Sequence, residues 1–336
     1  MNRIGTRTTG RPTLSEVARL SGVSPITASR ALRGVSTVAP ELVRKVVEAA
    51  NQLGYVANPA ARALASAQSQ SIVVLIPSLS NQLFIDTLEA IHAVMHPRGL
   101  EVLIGNFHYD VDEEEKLIRN YLAYQPRGIL LTGFDRTDAS RRLLAASQVP
   151  CVHMMELADT GPCVGFSQEH AGVVAAHNLL GRGRRRLAYV AAQMDPRVMQ
   201  RAEGFRRALR EAGVYDPDLE IMTPQPSSIG LGSDLFRALM HAHPDVDGIF
   251  FCNDDLGHGA IYEAQRQGLK VPEQVAMVGF NDLPASAHTV PRLTSIRTPR
   301  AAIGRAAAQM LLERLDGKTS GVQSRDLGFE LVVRES

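Results

Sequence analysis

The stretch TLSEVARLSGVSPITASRAL, residues 13–32, decides how the start of this chain folds. It reads as two short helices joined by a tight turn. Thr13 and Glu16 have capping-box spacing: the Thr hydroxyl accepts from the N3 amide and the Glu carboxylate reaches back to the cap. Leu14, Val17 and Ala18 give the first helix an apolar side. Gly22 supplies the turn, where a left-handed backbone costs glycine little. Ser24 is a good N-cap and Pro25 a good first helical residue, because its missing N–H has no helical partner to lose. Helical spacing then turns Ala28, Ala31 and Leu32 inward and leaves Pro25, Ile26, Ser29 and Arg30 outside.

An exposed proline and isoleucine, followed by hydroxyls and an arginine, suit the major groove of DNA. Ile26 and Pro25 can meet a thymine methyl, Arg30 can reach guanine O6 and N7, and the Thr27 and Ser29 hydroxyls can meet phosphates. Thr13, Ser24 and Thr37 complete the DNA-contact set expected of this head. The alternative is a plain helical hairpin with Ile26 packed on a neighbour. Charge favours DNA. Residues 1–70 carry nine Lys/Arg against three acids, a net of +6, within a chain of net +1, so the remainder holds −5. A basic head on a mildly acidic body points to a polyanion for the head alone.

A third helix is expected in APELVRKVVEAANQLGY. Pro40 starts it, Ala39 is a poor cap, and Leu42, Val43, Val46, Val47, Ala50 and Leu53 form a stripe. NPAARALAS, residues 58–66, is a capped but very short helical segment, too short to hold in water alone. It is expected to order on DNA, with Leu64 in a minor-groove step and Arg62 near phosphate; a simple linker is the alternative.

These segments closely resemble the lactose/galactose-repressor family of bacterial transcription regulators. The capping box, the G-V-S turn, the T-x-S-R helix and the R-x-L-A hinge all occur at the family's spacings. The resemblance implies that Pro25, Ile26 and Arg30 read bases, that Thr27 and Ser29 touch phosphates, and that Asn58, Arg62 and Leu64 belong to a DNA-contacting hinge with Leu64 as its lever. Two positions depart from the pattern. Ala57 stands where a proline usually precedes the hinge asparagine, with proline at Pro59 instead, and Ala28 replaces a larger valine.

From Ser71 onward the texture changes to regular alternation. SIVVLIPSL is a short apolar, β-branched run, and helical and strand segments come in turn through VAMVGF near residue 280. That pattern gives parallel sheets with helices on both faces, and there are too many strands for one sheet. The expected fold class is a small all-α helix-turn-helix head plus an α/β body of two similar parallel-sheet lobes, and the resemblance makes the body periplasmic-binding-protein-like. The expected boundaries are 1–57 for the head, 58–70 for hinge and linker, and 71–336 for the effector-binding and dimerisation domain. Within the body, lobe 1 takes about 71–168 and 298–321 and lobe 2 about 169–297 and 322–336, so the chain crosses near 168, 297 and 322.

Strand ends in such lobes face the cleft between them, where a small ligand binds. Asn81, Gln82 and Phe84 follow the first strand; Arg197 and Arg201 follow RRLAYVAA; Asn253 follows GIFFC; Asn281 and Asp282 follow VAMVGF. Asn253, Asp254 and Asp282 could equally be helix caps. The resemblance implies effector contacts at Arg201, Asn253 and Asn281. Many relatives hold an aspartate at the position of Asn281. A neutral amide there spares an anionic ligand from repulsion, and Arg201 offers a bidentate fork for a carboxylate. VLIPSLSNQLF, FFCNDDLGHGA and PRLTSIRTPR resemble the gluconate-operon repressor branch, which implies gluconate, a ketogluconate or a 6-phosphate as effector; a neutral sugar is the alternative.

Other signals carry less. His92 and His96 are i, i+4 on a helix without a zinc signature, so no metal is expected there. DVDEEEKL is an acidic first helical turn, and GRGRRR, 181–186, fits a helix end entering a strand. No catalytic constellation and no cofactor motif stands out, which weighs against an enzyme. Three scattered cysteines, no apolar leader and no membrane-length apolar run lead to the expectation of a cytoplasmic protein. The expectation is a homodimeric regulator, most simply a repressor, that binds a near-palindromic operator and releases it when a sugar acid binds. A sugar receptor or sugar-acid enzyme is the rival class.

Overall fold

The computed structural model describes residues 12–56, 69–318 and 323–336, which fall into two units, one ending at Ser69 and one running from Gln70 to Ser336. The first holds α1 (Leu14–Ser21), α2 (Pro25–Leu32) and α3 (Pro40–Leu53). Val17, Ala18, Ala28, Ala31, Val46, Ala49 and Ala50 form its core. The expected stripe on α3 is shifted: Val47 is exposed and Ala49 takes the inner place, since the buried face follows Val46, Ala49 and Ala50 at i, i+3 and i+4. Gly22 closes α1 at φ 68° and donates its N–H back to that helix.

In the second unit two six-stranded sheets are built from one alternation. The first contains β1 (Ser71–Ile76), β2 (Glu101–Asn106), β3 (Gly128–Thr132), β4 (Cys151–Met154), β5 (Cys163–Gly165) and β11 (Ser324–Asp326), in the order β11-β5-β4-β3-β1-β2, all parallel. Alternation along β1 feeds two cores. Ile72, Val74 and Ile76 face α4 (Leu83–Met95) and α11 (Arg300–Leu315), whereas Val73 and Leu75 join Ile118 of α5 (Val111–Leu122) and Leu144 of α6 (Asp138–Ser147).

The second sheet runs β12-β10-β9-β8-β6-β7, from β6 (Leu187–Ala192), β7 (Glu220–Thr223), β8 (Gly248–Phe251), β9 (Ala276–Asn281), β10 (Thr294–Arg297) and β12 (Glu330–Val332). It is parallel except that β12 pairs antiparallel with β10. Its helices are α7 (Gln168–Gly181), α8 (Pro196–Glu211), α9 (Ile229–Ala242) and α10 (Asp254–Gln267). Helices α7 and α8 touch backbone to backbone. A Cβ on Gly204 would stand 1.8 Å from the Glu169 carbonyl oxygen, and one on Gly172 would stand 2.0 Å from the Arg201 carbonyl oxygen.

The chain passes between the lobes at 166–167, at 298–299 and at 327–329. The last crossing lies later than the 322 expected. Ser324–Asp326 pairs with Cys163–Gly165, so residues 323–326 belong to lobe 1 and the chain reaches lobe 2 only after Asp326. Strands β5, β10, β11 and β12 left no trace in the periodicity, since each is three or four residues long and sits at a crossing.

Candidate DNA-reading surface and effector cleft

In the head, the capping box is formed. The Thr13 N–H donates to Glu16 Oε2 at 2.7 Å and the Glu16 N–H to Thr13 Oγ1 at 3.3 Å. These bonds hold the Glu16 carboxyl below its usual range. Ser24 caps α2 by accepting the Thr27 N–H at 3.1 Å, and the two hydroxyls lie 2.9 Å apart. Ala28 and Ala31 are fully inside, while Pro25, Ile26 and Arg30 are exposed, with Ile26 at 67 %. The head presents isoleucine at the tip of a helix, beside Arg30 and with Thr27 and Ser29 half-buried on the flank. Thr37 is exposed in the turn before α3. Asn58, Arg62 and Leu64 lie outside the described residues.

In the body, a cleft between the lobes encloses about 540 Å³ of space not filled by protein, open rim included. Asn81, Phe84, Arg197, Arg201, Asn253 and Asn281 all line it. Arg201, on α8, is 7 % exposed and lies with its guanidinium carbon 4.1 Å from the centre of the Phe280 ring. Its Nη1 donates to Gln168 Oε1, and Gln168 Nε2 donates on to the Met155 carbonyl of lobe 1 at 2.8 Å. Its Nε has no hydrogen-bond partner, and no carboxylate pairs with it among the described residues. A buried guanidinium with an unmet donor is costly unless a partner completes it.

Arg197 differs. Its Nε sits 3.2 Å from Asp195, the cap of α8. Burial works against its charge, but Asp195, Tyr109, Glu156 and Asp135 outweigh burial and raise its pKa. Gln200 ties the same helix to lobe 1 by donating to Glu156 Oε1 at 2.6 Å. Asn253 is both wall and cap: its Oδ1 accepts the Leu256 N–H at 3.2 Å and the Ser227 hydroxyl at 2.9 Å. Asn281 ends β9 at φ 103°, 5 % exposed, and its carbonyl accepts from Arg300 of lobe 1.

Two expected contacts do not line the cleft. Gln82 is exposed at the start of α4, and Asp282 faces away, 2.8 Å from Arg297 and 2.7 Å from Arg334. Those ion pairs occupy the carboxylate that the sequence offered to a ligand. In their place the cleft gains Tyr109, Gln168, Asp195 and Thr298. Tyr109 enters through a left-handed bend at φ 59°, and burial pushes its phenol up to about 12. Thr298 is buried, and its hydroxyl has no hydrogen-bond partner among the described residues. Among these, Asp195 carried a sequence signal as the residue before Pro196; the others depend on crossings and bends that periodicity does not report.

Two family models match this chain: bacterial regulatory proteins of the lacI family over residues 13–58, and the periplasmic binding protein-like domain over 176–336. The HTH-type transcriptional regulator GntR of Pseudomonas aeruginosa is 67 % identical over 338 residues, covering 100 % of this chain and 98 % of that protein.

This chain belongs to the lacI family.

Solved structures of lacI-family relatives agree with the fold. A transcription regulator GntR from Chromobacterium violaceum is 45 % identical with TM-score 0.77, covering 79 % of this chain and 98 % of its own. A lacI-family regulator from Silicibacter pomeroyi is 31 % identical with TM-score 0.90, covering 97 % and 99 %. As a lacI-family member the chain is a sequence-specific DNA-binding transcriptional regulator rather than an enzyme, with a helix-turn-helix head and an effector-binding body. Among the described residues no helix is long and apolar enough to cross a membrane.

Proposed function

We propose that this regulator is a cytoplasmic, homodimeric repressor whose effector is gluconate or a close sugar acid, and that binding of the acid releases operator DNA. The observation that carries the reading is Arg201: buried in the cleft wall, short of one partner among the described residues, and lining the same cleft as the neutral Asn281. A carboxylate there completes the guanidinium, while Asn253, Asn281, Gln168 and Thr298 offer amides and a hydroxyl to sugar hydroxyls. Two heads place Pro25, Ile26 and Arg30 in successive major grooves of a near-palindromic operator. Thr13, Ser24, Thr27, Ser29 and Thr37 meet the backbone, and Asn58, Arg62 and Leu64 act at the hinge. The ligand must favour the lobe arrangement that binds DNA poorly, since only differential affinity shifts a population. Calorimetry of gluconate against glucose tests the acid reading. Tighter gluconate binding is expected, and tighter glucose binding overturns it.

A further inference from the structure

We infer that lobe 1 carries a second ligand site, for a small phosphate-bearing metabolite, in a cleft on its outer sheet face that shares the Gly133 peptide with the effector cleft. The cleft exists because the connection from β4 to β5, residues 155–162, contains no helix. The side of β4 that carries Cys151 and His153 is therefore only half covered, while Val152 and Met154 are buried on the other side. The resulting concavity holds about 1630 Å³ of space not filled by protein, open rim included.

Its chemistry is one-sided. Arg136, Arg141 and Arg314 line it, and no acidic residue does. Phe134 stacks on His153 at 4.1 Å and 12°, giving a flat wall for a sugar or base ring. Arg136 is already held by buried Glu114, and Arg141 pairs with Asp138 at 2.6 Å where both are solvent-exposed. An exposed pair of this kind exchanges readily for a phosphate, to which a guanidinium binds in a fork.

Gly133 joins this site to the first. Its carbonyl oxygen accepts from Arg136 Nη2 at 3.0 Å and lies 2.9 Å from His153 Nδ1, on the second-cleft side. Toward the effector cleft, a Cβ on Gly133 would stand 2.5 Å from Arg197 Nη1 and 3.0 Å from Glu156 Oε2. An anion that draws on Arg136 therefore moves the peptide against which Arg197 rests.

Inorganic pyrophosphate is the probe, titrated calorimetrically into the full-length protein. Wild type and Arg201→Gln are expected to bind it alike. Arg141→Glu and Ala145→Trp, both at exposed positions on α6, are expected to weaken it at least about tenfold with an unchanged thermal midpoint. Absence of binding to wild type overturns the site, as does binding that disappears in Arg201→Gln and survives in Arg141→Glu. Hydrogen exchange at residues 193–201 reads the link through Gly133. A pyrophosphate-dependent change that vanishes in Arg141→Glu is expected, and unchanged exchange in wild type overturns the link. Neither readout uses gluconate, so a failed sugar-acid reading leaves this one standing.

Discussion

Arg201 and Phe280 stack with the guanidinium carbon 4.1 Å from the ring centre, which fixes the fork of a buried cation at the wall of the inter-lobe cleft. The ring supplies attraction without taking a hydrogen bond, so a donor is left for a ligand. Arg201→Met keeps the stem and the packing but removes the fork. Gluconate affinity is expected to fall at least about 100-fold, the scale of losing one side of a buried charged pair, with folding intact. Calorimetry checks this, and a loss under about threefold contradicts the assignment.

The helix that carries Arg197 and Arg201 is positioned by Gly204, whose missing side chain lets α8 touch the Glu169 carbonyl. Gly204→Ala inserts a methyl where the backbones meet. A loss of about 3 kcal/mol or more in urea unfolding is expected, together with weakened effector binding. Full stability in this variant would mean that the contact gives way easily.

The sequence read cleanly wherever one helix or one long strand decides the outcome. The cap at Thr13, the turn at Gly22 and the inward alanines of α2 follow from spacing of three or four residues. Asn253 stands just past the end of β8 and Arg201 in the second turn of the helix that follows β6, both on the side of the sheet that parallel topology aims at the cleft. Asp282 misled because its partners come from distant parts of the sequence, Arg297 from β10 and Arg334 from the C-terminal segment after β12. Gln168 and Thr298 line the cleft because they sit at crossings, and Tyr109 because a left-handed bend turns it inward.

Buried ionisable groups pull stability in opposite directions with pH. Burial drives the fully buried Asp254 carboxyl up to about 7, although Ser295 and the Leu283 amide donate to it. Burial drives His153 and His258 down to about 4. Between about pH 4 and 6.5 the unfolded chain holds two histidine protons the fold rejects, and the fold holds one Asp254 proton the unfolded chain lacks. Among these three groups stability therefore rises with pH across that window, against the drag of Asp254. Asp254→Asn removes the drag, so its stability relative to wild type should be higher at pH 8 than at pH 4 in urea titrations. An equal difference at both values contradicts the burial effect.

Ile26 is exposed at the tip of α2 beside Arg30. Ile26→Ala should reduce discrimination at one base pair and leave the salt slope of binding nearly unchanged, because no phosphate contact is lost. Arg30→Ala should cost about 1–3 kcal/mol at its cognate position. Binding to a panel of single-substitution operators at two salt concentrations separates the two. Uniform weakening across the panel for Ile26→Ala would place Ile26 outside the base-reading surface.

The most direct test of the account joins both ends of the molecule: fluorescence anisotropy on a duplex selected against the protein, titrated with gluconate, for wild type and Arg201→Met. The account predicts that gluconate releases wild type from DNA, and that the variant binds the duplex as wild type does but stays bound at the same gluconate concentration. Release of both proteins alike, or of neither, would contradict it.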